Sequence, residues 1–580
     1  MNDTQLFDMH GDDSTTDSTT DSTAETPTGV DRRKMLTWLG AAGAGTVVFQ
    51  KALTAQVEVA GKVTVEMVAQ AEWIAGIKLN EIQRAETAAG LQNLMQEFEA
   101  CRNVDVGYDT WPALSFRVKP SSKPLRVHPL AEPSDPLNKL ATPDDDVDLA
   151  YMSIADQSRL IRSGQISSLE LTQMYLRRLK KFDPVLRFSV NLTEELALKQ
   201  AKGVHHTRKR LGEWHPLRGI PWGAKDLIAY PEYPTTWGAP QFKDRILNAK
   251  ATVAAKLEQV GAVLVAKLAL GALAMGDKWY GGPTKNPWNP AQGSSGSSAG
   301  SASATAAGCV GFSLGSETLG SIMSPSRRCG VTGLRPTFGR VSRQGCMSLS
   351  WSMDKLGPIC RSAEDCALVF QVIHGADGLD PSAVDRPFQW PVEMDLQRIS
   401  VGYVDDGRKL ADREALQVFK DRGCKLVEIQ LPSELPTWPL TNILYAEAAA
   451  QFDPLTRAGI EEGLNSWPRS FRRAEFIPAV EYLRAQRIRS KLQDEMQQIM
   501  EQVDVFVDGG RDEALITNMT GHPAIAMPSG FVERAGVRQP MSVQLTGRLY
   551  DETTILALAQ LFQSETNYHL QRPPLENMEV

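Results

Sequence analysis

The sequence predicts an α/β fold, a β-sheet covered by helices on both faces, and three observations carry that reading. Short uninterrupted apolar runs, such as Val263-Leu264-Val265-Ala266, suit strands buried on both faces. These runs alternate with segments whose apolar residues recur at helical spacing. Hydrophobic residues make up 42% of the 580 and charged residues 23%, the balance of a soluble globular protein. That length exceeds one ordinary domain, so a large body with an accessory segment is expected.

Taken in chain order, residues 1–30 are acidic and rich in Ser and Thr, with too little apolar surface to pack, and read as a disordered leader. Residues 31–55 have the layout of a secretory signal. Asp31-Arg32-Arg33-Lys34 precedes the uncharged run Met35–Gln50, and small residues follow to Ala55. The arginine pair before Met35-Leu36 is similar to a twin-arginine export motif, and the run is shorter than the ~20 residues of a spanning helix. A mature chain starting near residue 56 and exported to the periplasm or another extracytoplasmic space is expected if the signal is used, and a cytoplasmic protein otherwise. No stable membrane insertion is expected after processing.

Residues 56–118 read as a helical extension, with Val65, Val68, Ala69, Ile74 and Ile77, then Leu91, Leu94, Met95 and Phe98, at helical spacing. A Pro-rich connector follows over 119–148. The main domain, 149–570, opens with the capping box Ser167-x-x-Glu170 and a helical face of Leu171, Met174, Tyr175, Leu179 and Phe182. Ala251–Val260 reads as a helix before the Val263 strand. Ile399–Val404, Val503–Val507, Ala524–Met527 and Val543–Leu545 read as buried strands, and Asp551–Thr566 as the last helix, before a tail over 571–580. The Asp- and Pro-rich stretch 377–397 reads as a surface excursion, and 275–290 and 435–485 as loops that set specificity.

Net charge is −7 with no basic face, which excludes nucleic acid as a partner by the usual electrostatic signature. The seven cysteines are scattered without a CxxC pair, which disfavours zinc ribbons and redox dithiols. His205-His206 and the basic residues after them read as a solvated face.

Gly293-Ser-Ser-Gly-Ser-Ser-Ala-Gly300 runs directly into buried-type residues, so it is not a linker. Gly296-Ser297-Ser298-Ala299-Gly300 matches the G-x-S-x-G nucleophile elbow with Ser298 as nucleophile, but Pro287 and Pro290 deny it the central strand that motif requires.

A different pattern fits the whole region. Ser295-Gly-Ser-Ser-Ala-Gly-Ser-Ala-Ser-Ala304, Gly315-Ser-Glu-Thr-Leu-Gly-Ser-Ile322 and Cys329-Gly-Val-Thr-Gly-Leu-Arg-Pro-Thr337 resemble the signature of the amidase-signature enzymes. Gly219-Ile-Pro-Trp-Gly-Ala-Lys225-Asp226 is similar to that family's lysine motif, and Asn518-Met-Thr-Gly521-His-Pro-Ala524 with Met527-Pro-Ser-Gly530 to its carboxy-terminal element. The resemblance implies a large central mixed β-sheet and makes 149–570 the catalytic domain. It implies hydrolysis of a carboxamide C–N bond by a Ser–cis-Ser–Lys triad, with Ser321 as nucleophile, Ser297 on a cis peptide as proton relay and Lys225 as general base. It places the oxyanion against backbone N–H groups of Thr318, Leu319, Gly320 and Ser321, and it calls for no metal or organic cofactor.

A lysine serves as base only when neutral, which burial promotes by as much as ~3–5 pKa units. Three positions depart from the pattern: Leu319 replaces a glycine and adds bulk at the mouth of the site, Glu317 an aspartate and Met323 an arginine. The expected partner is a small-molecule amide, with a homodimer the assembly considered. The rival functions are the A-type glutaminase component of a tRNA-dependent amidotransferase and a non-catalytic binding protein that keeps the fold.

Overall fold

The computed structural model describes residues 62–75, 79–85, 87–89, 128–130, 140–204, 214–405, 412–475, 477–508 and 511–577. The expected leader, the signal-like segment, the second half of the helical extension and the His205–Arg210 face lie outside them. The chain divides into two compact units, Met1–Gly107 and Tyr108–Val580. In the first, the helix Val65–Ala75 falls where helical spacing predicts one, with Val68 buried, and Glu72 accepts from Arg84 Nε and Nη2 at 3.1 and 2.7 Å.

The second unit is built on an 11-stranded sheet. In chain order its strands are β1 (Ser189–Leu192), β2 (Pro221–Lys225), β3 (Val263–Leu268), β4 (Phe312–Glu317), β5 (Thr332–Arg335), β6 (Lys355–Cys360), β7 (Ser400–Tyr403), β8 (Lys425–Glu428), β9 (Val505–Asp508), β10 (Ala524–Arg534) and β11 (Val537–Gly547). Across the sheet they run β1-β3-β2-β4-β6-β5-β10-β11-β9-β7-β8. The pairs β3–β2, β2–β4, β9–β7 and β7–β8 are parallel; the rest are antiparallel. The sheet is therefore mixed.

β3 shows why a continuous apolar run is needed: Leu264 joins one apolar cluster while Val263 and Val265 join another. Successive side chains of a strand point to opposite faces, so both faces are covered. The capping box closes as the sequence predicts. Glu170 N donates to Ser167 Oγ at 3.1 Å and Ser167 N to Glu170 Oε2 at 2.7 Å. Leu171, Met174, Tyr175, Leu179 and Phe182 of the helix that follows, Ser168–Leu186, are all buried.

The structure extends two expectations and corrects a third. The strands read at Ala524–Met527 and Val543–Leu545 are the buried ends of a longer hairpin, β10–β11, whose outer half is only partly buried. The 435–485 stretch is not loop but carries the helices Thr441–Arg457 and Trp467–Ala474 and the start of Ala479–Gln502. The 377–397 stretch runs mostly over the surface, as read, and is pinned at two points, because Asp380, nearly fully buried, pairs with Arg343 at 3.1 Å, and Trp390 is buried.

Candidate active site

β2 and β4 are parallel neighbours with Ala224 opposite Leu314, so they end at the same edge of the sheet. Lys225 is the last residue of β2, and the loop carrying Ser321 leaves β4 at Glu317. The carboxyl ends of parallel strands are where such sheets place ligands. Ser297 arrives from a third direction. A two-stranded ribbon, Lys285–Asn286 with Asn289–Gly293, delivers the Gly/Ser tract, which then enters the helix Ala299–Ala306. A strand does precede the tract, but it belongs to that ribbon and not to the large sheet.

Small residues are required here by close backbone approach. A Cβ on Gly296 would lie 1.9 Å from Gly276 O, and one on Gly300 2.2 Å from Phe188 O. The Gly296–Ser297 peptide is cis. Gly300 N donates to Ala269 O at 2.8 Å, seating the helix beside β3.

Lys225 is fully buried, and its Nζ donates to Ser297 Oγ at 2.8 Å, Ser316 Oγ at 2.9 Å and Ser298 Oγ at 3.0 Å. Burial pushes its pKa down from 10.5 to about 7, against the opposing pull of Asp354 and Glu317. Ser298 is occupied structurally: its Oγ donates to Ser316 O and accepts from Ser316 N, both at 3.1 Å. Ser321 is 4% exposed, and its carbonyl accepts from Ser298 N at 3.1 Å, which ties the two serine loops together.

Glu317 brackets the loop of Ser321. Its Oε2 accepts from Ile322 N at 2.8 Å and Met323 N at 2.9 Å, just beyond the serine. Its Oε1 accepts from Arg335 Nη1 at 2.8 Å and Asn518 Nδ2 at 2.9 Å. Burial works to raise the Glu317 pKa, but Arg335 and Lys355 outweigh it and hold the carboxyl at about 2. The Met323 side chain packs in an apolar cluster with Ile322 and Cys329. The counter-charge to Glu317 thus comes from Arg335. Leu319 is 8% exposed and packs with the main apolar cluster.

Asp226, the residue after the lysine, pairs with Lys267 of β3 at 2.6 Å, and both are fully buried. Its other oxygen accepts from Thr236 N at 2.9 Å, which fixes the 234–238 strap beside the site. His522 is not poised for proton transfer. It is 2% exposed, its Nδ1 bonds Thr520 Oγ1 at 2.7 Å, and burial with Arg335 nearby pushes its pKa down to about 3.

Sequence reasoning leaves Ser316, Arg335, Asn518 and Asp354 without roles. Ser316, Arg335 and Asn518 lie inside quoted motifs and Asp354 lies outside them, but what each one holds becomes visible only when strands distant in sequence are paired.

The family model described as Amidase matches residues 170–508, which contain all of these groups except Asn518 and His522. The chain belongs to the amidase-signature family. Among relatives of this amidase-signature chain is the A-type subunit of glutamyl-tRNA(Gln) amidotransferase from Roseiflexus sp. (strain RS-1), 33% identical over 74% of this chain and 99% of the relative. Its counterpart from Coxiella burnetii (strain Dugway 5J108-111) is 31% identical over 73% and 99%. Native peptide amidase from Stenotrophomonas maltophilia superposes with a TM-score of 0.64 at 25% identity, covering 74% of this chain and 99% of that one. The amidase-signature fold and an amidase-family hydrolase follow from these likenesses together.

Proposed function

We propose that the protein hydrolyses a linear carboxamide through an acyl-enzyme on Ser321. The observation that carries this reading is Lys225: a fully buried amine, held near pKa 7, 2.8 Å from Ser297 Oγ. A neutral amine keeps one lone pair, which accepts the Ser297 hydroxyl proton as Ser297 takes the proton of Ser321. Ser321 Oγ attacks the amide carbon, and the N–H groups of Thr318, Leu319, Gly320 and Ser321 hold the oxyanion. The proton returns through Ser297 to the departing amine, and water releases the acid.

A second reading, the glutaminase component of an amidotransferase, is favoured by the amidotransferase relatives, which align over 99% of their length. Ammonia release from glutamine and from a panel of aryl, alkyl and peptide amides, by the purified single chain, separates the two. Release from simple amides supports the stand-alone amidase; release from glutamine alone, or only with added partners, supports the amidotransferase component. No turnover of any amide would support a binding protein. A fluorophosphonate adduct is expected on Ser321 in the wild type and absent in Ser321→Ala; an adduct on Ser298 would restore the nucleophile-elbow assignment.

A further inference from the structure

β4 and β6 pair antiparallel with Lys355 opposite Glu317. One step further along that register, Asp354 meets Thr318, the first residue of the loop that leads to Ser321. Asp354 Oδ1 accepts from Thr318 Oγ1 at 2.6 Å. The other oxygen is seated in a turn, accepting from Leu349 N at 2.7 Å, Ser350 N at 3.0 Å and Ser348 Oγ at 3.3 Å. Lys355 Nζ lies 3.5 Å from Thr318 O and also donates to Met353 O. Thr318 is therefore held at both its side chain and its carbonyl by consecutive buried residues.

The turn that carries Asp354 is itself fixed. Glu447 accepts from Ser350 Oγ at 2.6 Å, Ser352 Oγ at 2.7 Å and Ser352 N at 3.0 Å. Arg489 donates to Ser352 Oγ and Ser352 O, both at 2.8 Å. A chain of buried hydrogen bonds thus runs from the helices Thr441–Arg457 and Ala479–Gln502 to the loop before the nucleophile.

The Thr318 carbonyl and the Leu319 N–H share one planar peptide. A donor on that carbonyl polarises the group and strengthens the N–H as a donor. We propose that Asp354 and Lys355 are positioning residues for the oxyanion, gripping Thr318 so that the Leu319 N–H is aimed at the tetrahedral oxygen and polarised toward it. This rests on Ser321 being the nucleophile. Burial and the nearby Arg335 push the Lys355 ammonium well below its ordinary range, while Glu317 and Asp354 pull it up; an amine in either state supplies the N–H the role needs.

The test is inactivation of the full-length chain by an alkyl fluorophosphonate and by its P=S analogue. In each, Ser321 Oγ bonds to phosphorus, fluoride leaves and the serine proton passes to Ser297 and Lys225. Oxyanion amides bond well to P=O and poorly to P=S, so the ratio of the two rates reads the amide donors, whereas a general loss of structure slows both alike. Lys355→Met and Thr318→Val are expected to cut that ratio about tenfold, below the ~10²–10³ cost of deleting an oxyanion donor outright. They should lower kcat with KM little changed, and Thr318→Ser, which keeps the hydroxyl, should recover more of the P=O to P=S ratio than Thr318→Val. If Lys355→Met fails to fold, Thr318→Val decides, since it exchanges one hydroxyl for a methyl. An unchanged ratio in folded variants overturns the positioning role. A wild type that carries no adduct on Ser321 overturns the nucleophile assignment itself.

Discussion

Lys225 is the residue on which the proposed chemistry turns. Its fully buried amine sits among three serine hydroxyls, and burial lowers its pKa to about 7. The sign is direct: below about pH 7 the group is protonated and cannot accept a proton, and above it the base is free. A pH series of kcat/KM should show one ascending limb with a midpoint near 7 and a plateau above it. Lys225→Ala should lose on the order of 10²–10⁴ in rate. Lys225→Arg should do no better, because guanidinium stays protonated. Alkaline buffer should partly restore Lys225→Ala and leave Ser321→Ala inactive. His522 is buried and held neutral, so diethylpyrocarbonate should spare activity. A bell-shaped profile, or inactivation by that reagent, would point to a histidine base instead.

Among the elements, the loop between β4 and the helix Met323–Cys329 has the most specific support. Glu317 spans the candidate nucleophile Ser321 from the residue before its loop to the backbone just beyond it, and its charge is balanced by Arg335 on β5, with both side chains fully buried. Removing one member of such a pair leaves an uncompensated buried charge and costs roughly 3–5 kcal/mol. Arg335→Leu should therefore lower the melting temperature well beyond the shift of a surface substitution. Since the folded Glu317 carboxyl is held at about 2, below its ordinary 4.5, its contribution is fully present above pH 4.5 and fades as pH falls toward 2. Glu317→Gln should be less stable at neutral pH and lose less stability over that acid window, which denaturant melts at several pH values would measure. Gly296→Ala belongs to this scale too, because its Cβ would meet Gly276 O at 1.9 Å. Loss of fluorophosphonate labelling in a chain that still folds is the expected result.

At the scale of the whole molecule, the two compact units carry separate expectations. For the amino-terminal segment we propose export through the Arg32-Arg33 pair, on the sequence alone, since residues 31–55 lie outside the described ones. Among the described residues no helix is long and apolar enough to cross a membrane. Replacing both arginines with lysine should retain the precursor in the cytoplasmic fraction, and amino-terminal sequencing of the native protein should begin near residue 56. An intact Met1 in mature protein would remove the cleavage step and leave the enzyme untouched. In the larger unit, activity toward simple amides by the isolated chain is the measurement that separates a free-standing amidase from a component of a larger complex.

The sequence by itself determined the family, the mixed α/β sheet and the candidate triad, because the candidate groups sit in local motifs that can be read before any strand is paired. It also marked the buried strands β3, β7, β9 and the inner ends of β10 and β11, whose apolar runs need no partner to be legible. Only the tertiary structure decided what balances Glu317, what occupies Ser298, and what grips Thr318. Arg335, Ser316 and Asp354 are ordinary letters until β4 is laid beside β2 and β6, and β5 beside β10. Buried charges take their meaning from partners far away in the chain, and spacing along a sequence carries no record of which strands become neighbours.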